Sequence, residues 1–446
     1  MKKIFSTVLL IAGALMFAGC AGEEENLFDK SAAERLNETG KIYSTRLQSS
    51  EAGWVMEYYP TNTEETYKGR GYLIMADFDK DESVTLAMNN IMTDYEYMEE
   101  KSLWEIIADN GPVLTFNTYN EVLHCFSNPE YYESGKGFEG DYEFVMIDVP
   151  EDGQFIMLKG KKRGTYVRLT RLPAGTNFQE YLDDVNAFFK KIFPENAVNE
   201  DVLIVGGEKY AFNSGSTGII GKYPYDGDAI TETTEHPFLI TKRDGKYYLR
   251  FRSALEANEV EEQEFVYDAD ADKFFGVENA ENIIEGEDPA TFLINNLDAG
   301  SWSALKTAEM SDKMKSYFDE LDTEFSAMKD SRKRSYTFSG MTLTREKDGE
   351  HYRWNVGYKV PGSSRITYAQ YNYTMQRDGN NISFAYVAPV DESATNIQNT
   401  LPSVKNVTGV FNRKFIVTAA QTCFNLRQIR LTAADDPNLW VVVTVG

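Results

Sequence analysis

Gly71-Tyr72-Leu73-Ile74-Met75-Ala76-Asp77-Phe78 and Ser83-Val84-Thr85-Leu86-Ala87-Met88 flank the tetrapeptide Asp79-Lys80-Asp81-Glu82. Two apolar, β-prone runs of six to eight residues joined by four turn-forming polar residues spell an antiparallel hairpin. Just upstream, Trp54, Met56 and Tyr58 alternate with Val55, Glu57 and Tyr59 until Pro60 ends the run. That is the period of two that a strand requires.

Downstream the same rhythm continues in Leu103 to Ala108, Val113 to Asn117, Val122 to Ser127, Tyr142 to Ile147, Phe155 to Lys159 and Tyr166 to Leu172. Each run is bounded by Gly, Pro, Asn or Asp about every ten residues, the spacing of an antiparallel sandwich or barrel. Alternating helices are missing, which argues against a parallel α/β sheet. Further strands are expected from Val202 to about Val277, with a hairpin around Asp244-Gly245, and again from Tyr336 to Val445. Asn279 to Gly300 is acidic and reads as loop.

Three helices punctuate this β pattern. Ser31 and Glu34 have capping-box spacing ahead of Ala32, Leu36, Tyr43 and Leu47, with Gly40 a weak point. Thr176 and Gln179 are expected to cap a second helix whose stripe is Phe178, Tyr181, Leu182, Val185, Phe188 and Ile192, ended by Pro194. Met310, Met314, Tyr317, Phe318, Leu321, Phe325 and Met328 draw a third, near residues 303–329, with Arg332-Lys333-Arg334 suited to its C-terminal dipole. The fold expected is mainly β (α+β): sandwich or barrel-like antiparallel lobes with about three flanking amphipathic helices. Glu195 to Asp201 separates an N-terminal β-rich domain, residues 29–200, from a C-terminal β-rich region, residues 201–446. Strands followed by one amphipathic helix occur twice, without a fixed short repeat.

The chain has 446 residues, of which 42% are hydrophobic and 13% aromatic, and a formal net charge of −25. Such a composition folds, and such a charge repels nucleic-acid phosphates and anionic membrane surfaces.

At the N-terminus Lys2 and Lys3 precede an apolar run from Val8 to Gly19, which reads as a secretory signal, residues 1–19. Phe17-Ala18-Gly19-Cys20 resembles the lipobox of bacterial lipoproteins, with Phe17 in place of the usual Leu. The resemblance implies cleavage before Cys20 and acylation of its thiol, so that membrane attachment runs through the lipid. Residues 20–28, with Glu23-Glu24-Glu25, read as an acidic tether. An acidic run after the cysteine is similar to the signal that sends Bacteroides-type lipoproteins to the outer face of the outer membrane. Cys125 and Cys423 both lie in apolar runs, and the sequence leaves open both a disulfide between them and two buried free thiols.

Several stretches resemble one family. They include Phe28-Asp29-Lys30-Ser31-Ala32-Ala33-Glu34-Arg35-Leu36, Gly53-Trp54-Val55-Met56-Glu57-Tyr58-Tyr59-Pro60 and Gly111-Pro112-Val113-Leu114-Thr115-Phe116-Asn117-Thr118-Tyr119-Asn120. Leu123-His124-Cys125-Phe126-Ser127-Asn128-Pro129, Gly140-Asp141-Tyr142-Glu143-Phe144 and Leu158-Lys159-Gly160-Lys161-Lys162 extend the likeness. Over Phe28 to Leu172 the chain is similar to the Bacteroidetes lipoproteins catalogued as domain of unknown function 4302. That family has no assigned activity. Its setting implies accessory lipoproteins beside outer-membrane nutrient-uptake systems.

No stretch carries a complete catalytic or metal motif. His124, His236 and His351 lack metal-ligand spacing. Asp77-Phe78-Asp79-Lys80-Asp81 and Asp268-Ala269-Asp270-Ala271-Asp272 alternate like calcium loops, but Glu82 and Lys273 replace the sixth-position Gly, and Met88 and Asn279 the twelfth-position Glu. Ser216-Thr217-Gly218-Ile219-Ile220-Gly221-Lys222-Tyr223 lacks the first Gly and final hydroxyl of a phosphate loop. Acid pairs such as Glu64-Glu65 are uninformative in so acidic a chain. Lys159-Gly160-Lys161-Lys162-Arg163 is the one basic knot, readable as an anion site or as a solvated turn. Tyr131-Tyr132, Tyr223 with Tyr225, Tyr247-Tyr248, and Tyr368, Tyr371 and Tyr373 are either ligand-stacking rings or ordinary β-core aromatics.

The expected role is therefore a non-catalytic, lipid-anchored outer-membrane accessory protein, facing the cell exterior, that binds a glycan or peptide for uptake. It needs no cofactor or metal, and its other partner is an uptake complex. A secreted hydrolase with an unrecognised carboxylate site, or a structural or adhesive component, are the alternatives.

Overall fold

The computed structural model describes residues 30–60, 71–131, 135, 137–193, 201–213, 218–222, 231–297, 300–347 and 349–446. The expected signal, Cys20 and the tether lie outside the described residues, as do Glu64-Glu65, Pro194 and most of the expected boundary after it.

The opening helix α1 (Ala32–Leu47) has the capping box the sequence spells: the Ser31 hydroxyl accepts from Glu34 N, and Ser31 N donates to the Glu34 carboxylate. Gly40 lies against Ile106, so the helix leans on the body where its propensity is weakest. Eight antiparallel strands follow: β1 (Trp54–Tyr59), β2 (Tyr72–Phe78), β3 (Ser83–Met88), β4 (Met98–Asp109), β5 (Gly111–Phe116), β6 (Glu143–Asp148), β7 (Phe155–Gly160) and β8 (Tyr166–Arg171). Each pairs with its sequence neighbours, and β8 returns to β1 with Trp54 opposite Arg171, closing a barrel. Trp54, Met56 and Tyr58 fill its interior while Val55 belongs to a different core, as the alternation requires. Gly53, at φ +74, passes within 2.6 Å (measured from its would-be Cβ) of Ala76 O, a turn no side chain fits.

Val122 to Ser127, expected as a strand, instead begins with the short helix α2 (Glu121–His124). Buried Asn120 supplies the reason: its side chain accepts from Val122 N and donates to Glu100 O and Ser102 Oγ, capping the turn. An apolar run this short does not by itself distinguish strand from helix.

The second expected helix is α3 (Phe178–Ile192), but Asn177 caps it, accepting from Glu180 N, while the Thr176 hydroxyl bonds Pro173 O in the preceding turn. Its stripe, Tyr181, Leu182, Val185, Phe188 and Ile192, is buried between the outside of the first barrel (Val55, Met75, Ala87) and a second sheet.

That sheet has nine strands: β9 (Asp201–Val205), β10 (Glu208–Asn213), β11 (Ile219–Lys222), β12 (Thr231–Glu235), β13 (Phe238–Arg243), β14 (Lys246–Ala257), β15 (Val260–Asp268), β16 (Lys273–Gly276) and β17 (Ile283–Glu285). Their order is β12-β11-β10-β9-β17-β16-β15-β14-β13, a half-barrel that leaves β12 and β13 as unpaired edges although they adjoin in sequence. Its β13 edge leans on the first barrel, with Gly71 N donating to Phe238 O and the Tyr59 hydroxyl to Arg250 O.

The stretch Asn279 to Gly300, expected as loop, holds β17 and then α4 (Pro289–Asn295). Asp288 caps this helix at Thr291 N and Pro289 takes its first position, a start signal hidden among acids.

A second closed barrel is built from β18 (Trp302–Leu305), β19 (Thr337–Arg345), β20 (Tyr352–Lys359), β21 (Ile366–Asp378), β22 (Asn381–Pro389), β23 (Lys414–Ala419), β24 (Gln428–Ala433) and β25 (Trp440–Val445). The long helix expected near residues 303–329 is α5 (Asp312–Ala327), because Ser311 caps it and Trp302 to Leu305 are strand. Arg332-Lys333-Arg334 lies beyond the helix in a turn wound on Asp330, which accepts from Arg332 N and Arg334 N. Two further helices, α6 (Glu392–Thr400) and α7 (Pro402–Val410), pack on this barrel and were not expected. Each spans only nine residues, a window too short for the helical period to stand out in sequence. The expected β-rich antiparallel, barrel-like architecture is what forms, and among the described residues seven α-helices stand where about three were expected.

The second barrel is locked to the half-barrel through the loop ahead of β24. Asp272 accepts from the Thr422 hydroxyl at 2.9 Å and from Cys423 N at 2.6 Å, and Phe424 enters the core against Phe193 and Phe274.

Candidate functional site

The half-barrel is filled unevenly. Phe188, Phe193, Phe238, Phe251 and Phe274 pack one end solid. At the other end β9 to β12 and the tip of β14 enclose a cavity of about 970 Å³. Strand alternation sets its walls. Leu203, Val205, Ile220 and Leu255 form an apolar floor, and Tyr210, paired with Leu203 on one side and Lys222 on the other, stands among them. Glu208, Lys222, Glu232 and Glu256 are exposed at the rim, where Lys222 lies 3.8 Å from Glu232.

The mouth is held by two turns. Gly206, at φ +56, brings its backbone so close to Ala257 O that a Cβ would sit 2.3 Å away. Asn258 then ties the pair together, donating to Gly206 O and to Glu208 Oε1. His236 enters the wall next to Thr234, with 2.9 Å between Nε2 and Oγ1. Burial holds its imidazole below the ordinary value, so it is neutral at neutral pH. An apolar floor with a few convergent polar groups suits an amphiphilic, neutral ligand segment.

Of the residues singled out from sequence, His236 alone among the histidines lines this cavity. His124 sits under the first barrel between the rings of Tyr119 and Tyr142, at 5.0 and 4.8 Å. His351 precedes β20 of the second barrel. Asp79 and Asp81 fold their own turn: Asp81 accepts from Ser83 N, and Asp79 pairs with Lys101. Asp268 accepts from Asp270 N and Ala271 N, and Asp272 forms the lock described above. Among the described residues no group of three or more His, Cys, Asp or Glu side chains is placed to hold a metal ion.

The basic knot is a turn wrapped on buried Asp141, whose carboxylate accepts from Lys162 N, Arg163 N and Thr165 N. Lys161 is taken by Asp109 and Arg163 by Glu139, so this turn has its own counter-charges. Ile220 and Lys222 of the would-be phosphate loop lie on β11 in the cavity wall, whereas Ser216, Thr217 and Tyr223 lie outside the described residues.

The tyrosines divide. Tyr371 and Tyr373 are wholly buried, bonded through their hydroxyls to Ala394 O and Thr408 O. Tyr247 stacks on Phe188 at 3.8 Å, Tyr248 lies under Arg243, and Tyr368 is exposed. Tyr132 and Tyr225 lie outside the described residues, as does the Tyr131 side chain. Cys125 and Cys423 are not joined in a disulfide. Tyr210 and the floor around it were not anticipated; the signal on offer was Gly206-Gly207 between two short apolar runs, which marks a tight turn but not a cavity.

No curated protein matches the sequence. A family model does, over residues 24–269, a span reaching from before α1 to the end of β15 and so including the first barrel, α3 and the residues of the cavity wall. The chain thus belongs to the family described as domain of unknown function (DUF4302).

Proposed function

We propose that this protein is a non-catalytic, lipid-anchored binding protein of the bacterial outer membrane that takes up an oligosaccharide or peptide segment in the mouth of its half-barrel. The observation that supports the reading is the 970 Å³ cavity, with its apolar floor around Tyr210 and its polar rim. A sugar ring or a peptide side chain offers matching faces, one apolar and one hydrogen-bonding. Its rim holds more acids than bases, which disfavours anionic ligands there. Anchoring rests on Cys20, and the Glu23-Glu24-Glu25 tether favours presentation on the outer face, as in Bacteroidetes lipoproteins of nutrient-uptake systems. Among the described residues no helix is long and apolar enough to cross a membrane.

The test is a panel of neutral oligosaccharides and peptides titrated into the pure protein, with product analysis alongside. Binding without turnover is expected, and Tyr210→Ala should weaken it on the order of tenfold. Turnover of any bound compound would convert the protein to a hydrolase. For the address, Cys20→Ala should release the protein into the soluble fraction, and protease added to intact cells should remove the folded body.

A further inference from the structure

A second cavity, of about 280 Å³, lies in the seam between the first barrel and the half-barrel. Arg168 and Thr170 on β8 face Arg243 on β13 and Glu264 on β15 across it, and exposed Gln154 and Asp244 stand at its edge. Its charges are not balanced. In the cavity wall or directly behind it, among the described residues, the guanidiniums of Arg168, Arg243 and Arg250 share the carboxylates of Glu57 and Glu264, while Arg171 is taken by the carbonyls of Gly153 and Ser49. Arg243 takes Glu264 at 2.6 Å, and Arg250 lies 3.3 Å from Glu57 and 3.6 Å from Glu264. Arg168 approaches Glu264 no closer than 3.7 Å. Lys242, also in the wall, is already paired with Asp184.

Its hydrogen bonds are not balanced either. Among the described residues, Arg168 Nη1 and Thr170 Oγ1, both on side chains of this wall, are buried without a hydrogen-bond partner, as are both carboxylate oxygens of Glu57 behind it. Buried polar groups are nearly always satisfied, so two orphan donors converging on one cavity that has surplus positive charge mark an unfilled ligand position. Glu57 is wholly buried behind it, with Oε2 turned to Arg250 Nε at 3.3 Å. Glu264 Oε1 also lacks a hydrogen bond, so one corner of the cavity accepts rather than donates.

We infer that this seam binds a small oxyanion, a carboxylate or a phosphate, between Arg168 and Thr170. A guanidinium fork and a hydroxyl are the donors such a group requires, and the oxyanion supplies the missing negative charge. The volume admits a compact anion and not a polymer, and bound there it bridges the two sheets. The inference is independent of the ligand in the half-barrel mouth.

The test uses acetate and phosphate in separate titrations of the whole protein, with chloride at matched ionic strength as reference, followed by melting temperature and calorimetry. A saturable rise in melting temperature with acetate identifies a carboxylate site, and one with phosphate a phosphate site. Thr170→Val should melt no lower than the parent in chloride, because its hydroxyl has no bond to lose, yet bind the anion roughly tenfold more weakly. Arg168→Gln should abolish the response. Equal melting in oxyanion and chloride, or a rise that does not saturate and is the same in Thr170→Val, would overturn the site and leave water as its occupant.

Discussion

Trp54 donates from its indole nitrogen to the carbonyl of Leu47 at 2.8 Å, pinning the last turn of α1 to the first strand of the first barrel. The second barrel has the same device: Trp302, on its first strand, donates to Leu293 O in α4 at 3.0 Å. Both indoles are fully buried, and the guanidinium of Arg171 covers the ring of Trp54 from the closing strand. Each closed barrel is thus preceded by a helix bonded to its first strand through one tryptophan, whereas the echo in the sequence, strands followed by an amphipathic helix, falls on the first barrel with α3 and on the half-barrel with α5.

Trp54→Phe should cost about 2–4 kcal/mol, from the lost volume and from a helix carbonyl left without its donor. Trp302→Phe should cost a similar amount, and the double variant should show the two adding, since the sites share no partners. Urea unfolding measures both; a negligible loss at either site would show that the indole bond is dispensable.

Phe424→Ala removes the side chain through which the second barrel completes the half-barrel core. A loss of about 3–5 kcal/mol is expected, along with faster proteolysis at the junction. Asp272→Ala should weaken the same junction with a smaller loss, readable as a shared cleavage pattern.

His124 and His236 are both held below their ordinary value of 6.5 by burial. On acidification the unfolded chain takes up those protons first. Their contribution to stability is therefore complete above about pH 6.5 and is lost as pH falls toward the folded-state values. Glu57, pushed up by burial, acts in the opposite sense: the folded state keeps its proton longer, so this group costs stability as pH rises above its ordinary 4.5. Urea midpoints of His236→Asn and the parent across pH 5.5 to 8 separate the two, with the variant expected to lose less on the acid side.

Burial and Asp272 push the Cys423 thiol up to about 12, and burial, with the Glu121 carboxylate, pushes Cys125 higher still. In a Cys20→Ser protein at pH 8, iodoacetamide should therefore leave both thiols largely unmodified until urea is added, then label both. Rapid labelling of the native protein at either position would contradict their assigned surroundings.

Strands were legible wherever one face is buried deeper than the other, as in Tyr166 to Arg171, where buried Val167 and Leu169 alternate with half-buried Tyr166 and Arg168. Closure was not, since the pairing of Trp54 with Arg171 depends on tilt and register accumulated over eight strands. Ser31 and Glu34 announced α1 through a local bond, whereas Asp288-Pro289 announced α4 in a stretch whose acidity reads as solvent. The cavities were least legible of all. Tyr210 and Leu255 meet only because β9 pairs with β17, and Arg168 meets Glu264 only because two sheets touch. Neither contact leaves a spacing in the chain.

The open order of the half-barrel also sets when it is able to form. The first barrel is complete once Arg171 exists, with every strand but the closing one beside its sequence neighbour. In the half-barrel, β9 finds its second partner only in β17, some eighty residues on, and the core waits for Phe424. Contacts of that separation form slowly. Maturation of this protein is therefore governed from its C-terminal side: the sheet that walls the cavity waits for β17 to reach β9, and until the last barrel docks the aromatic core lacks Phe424.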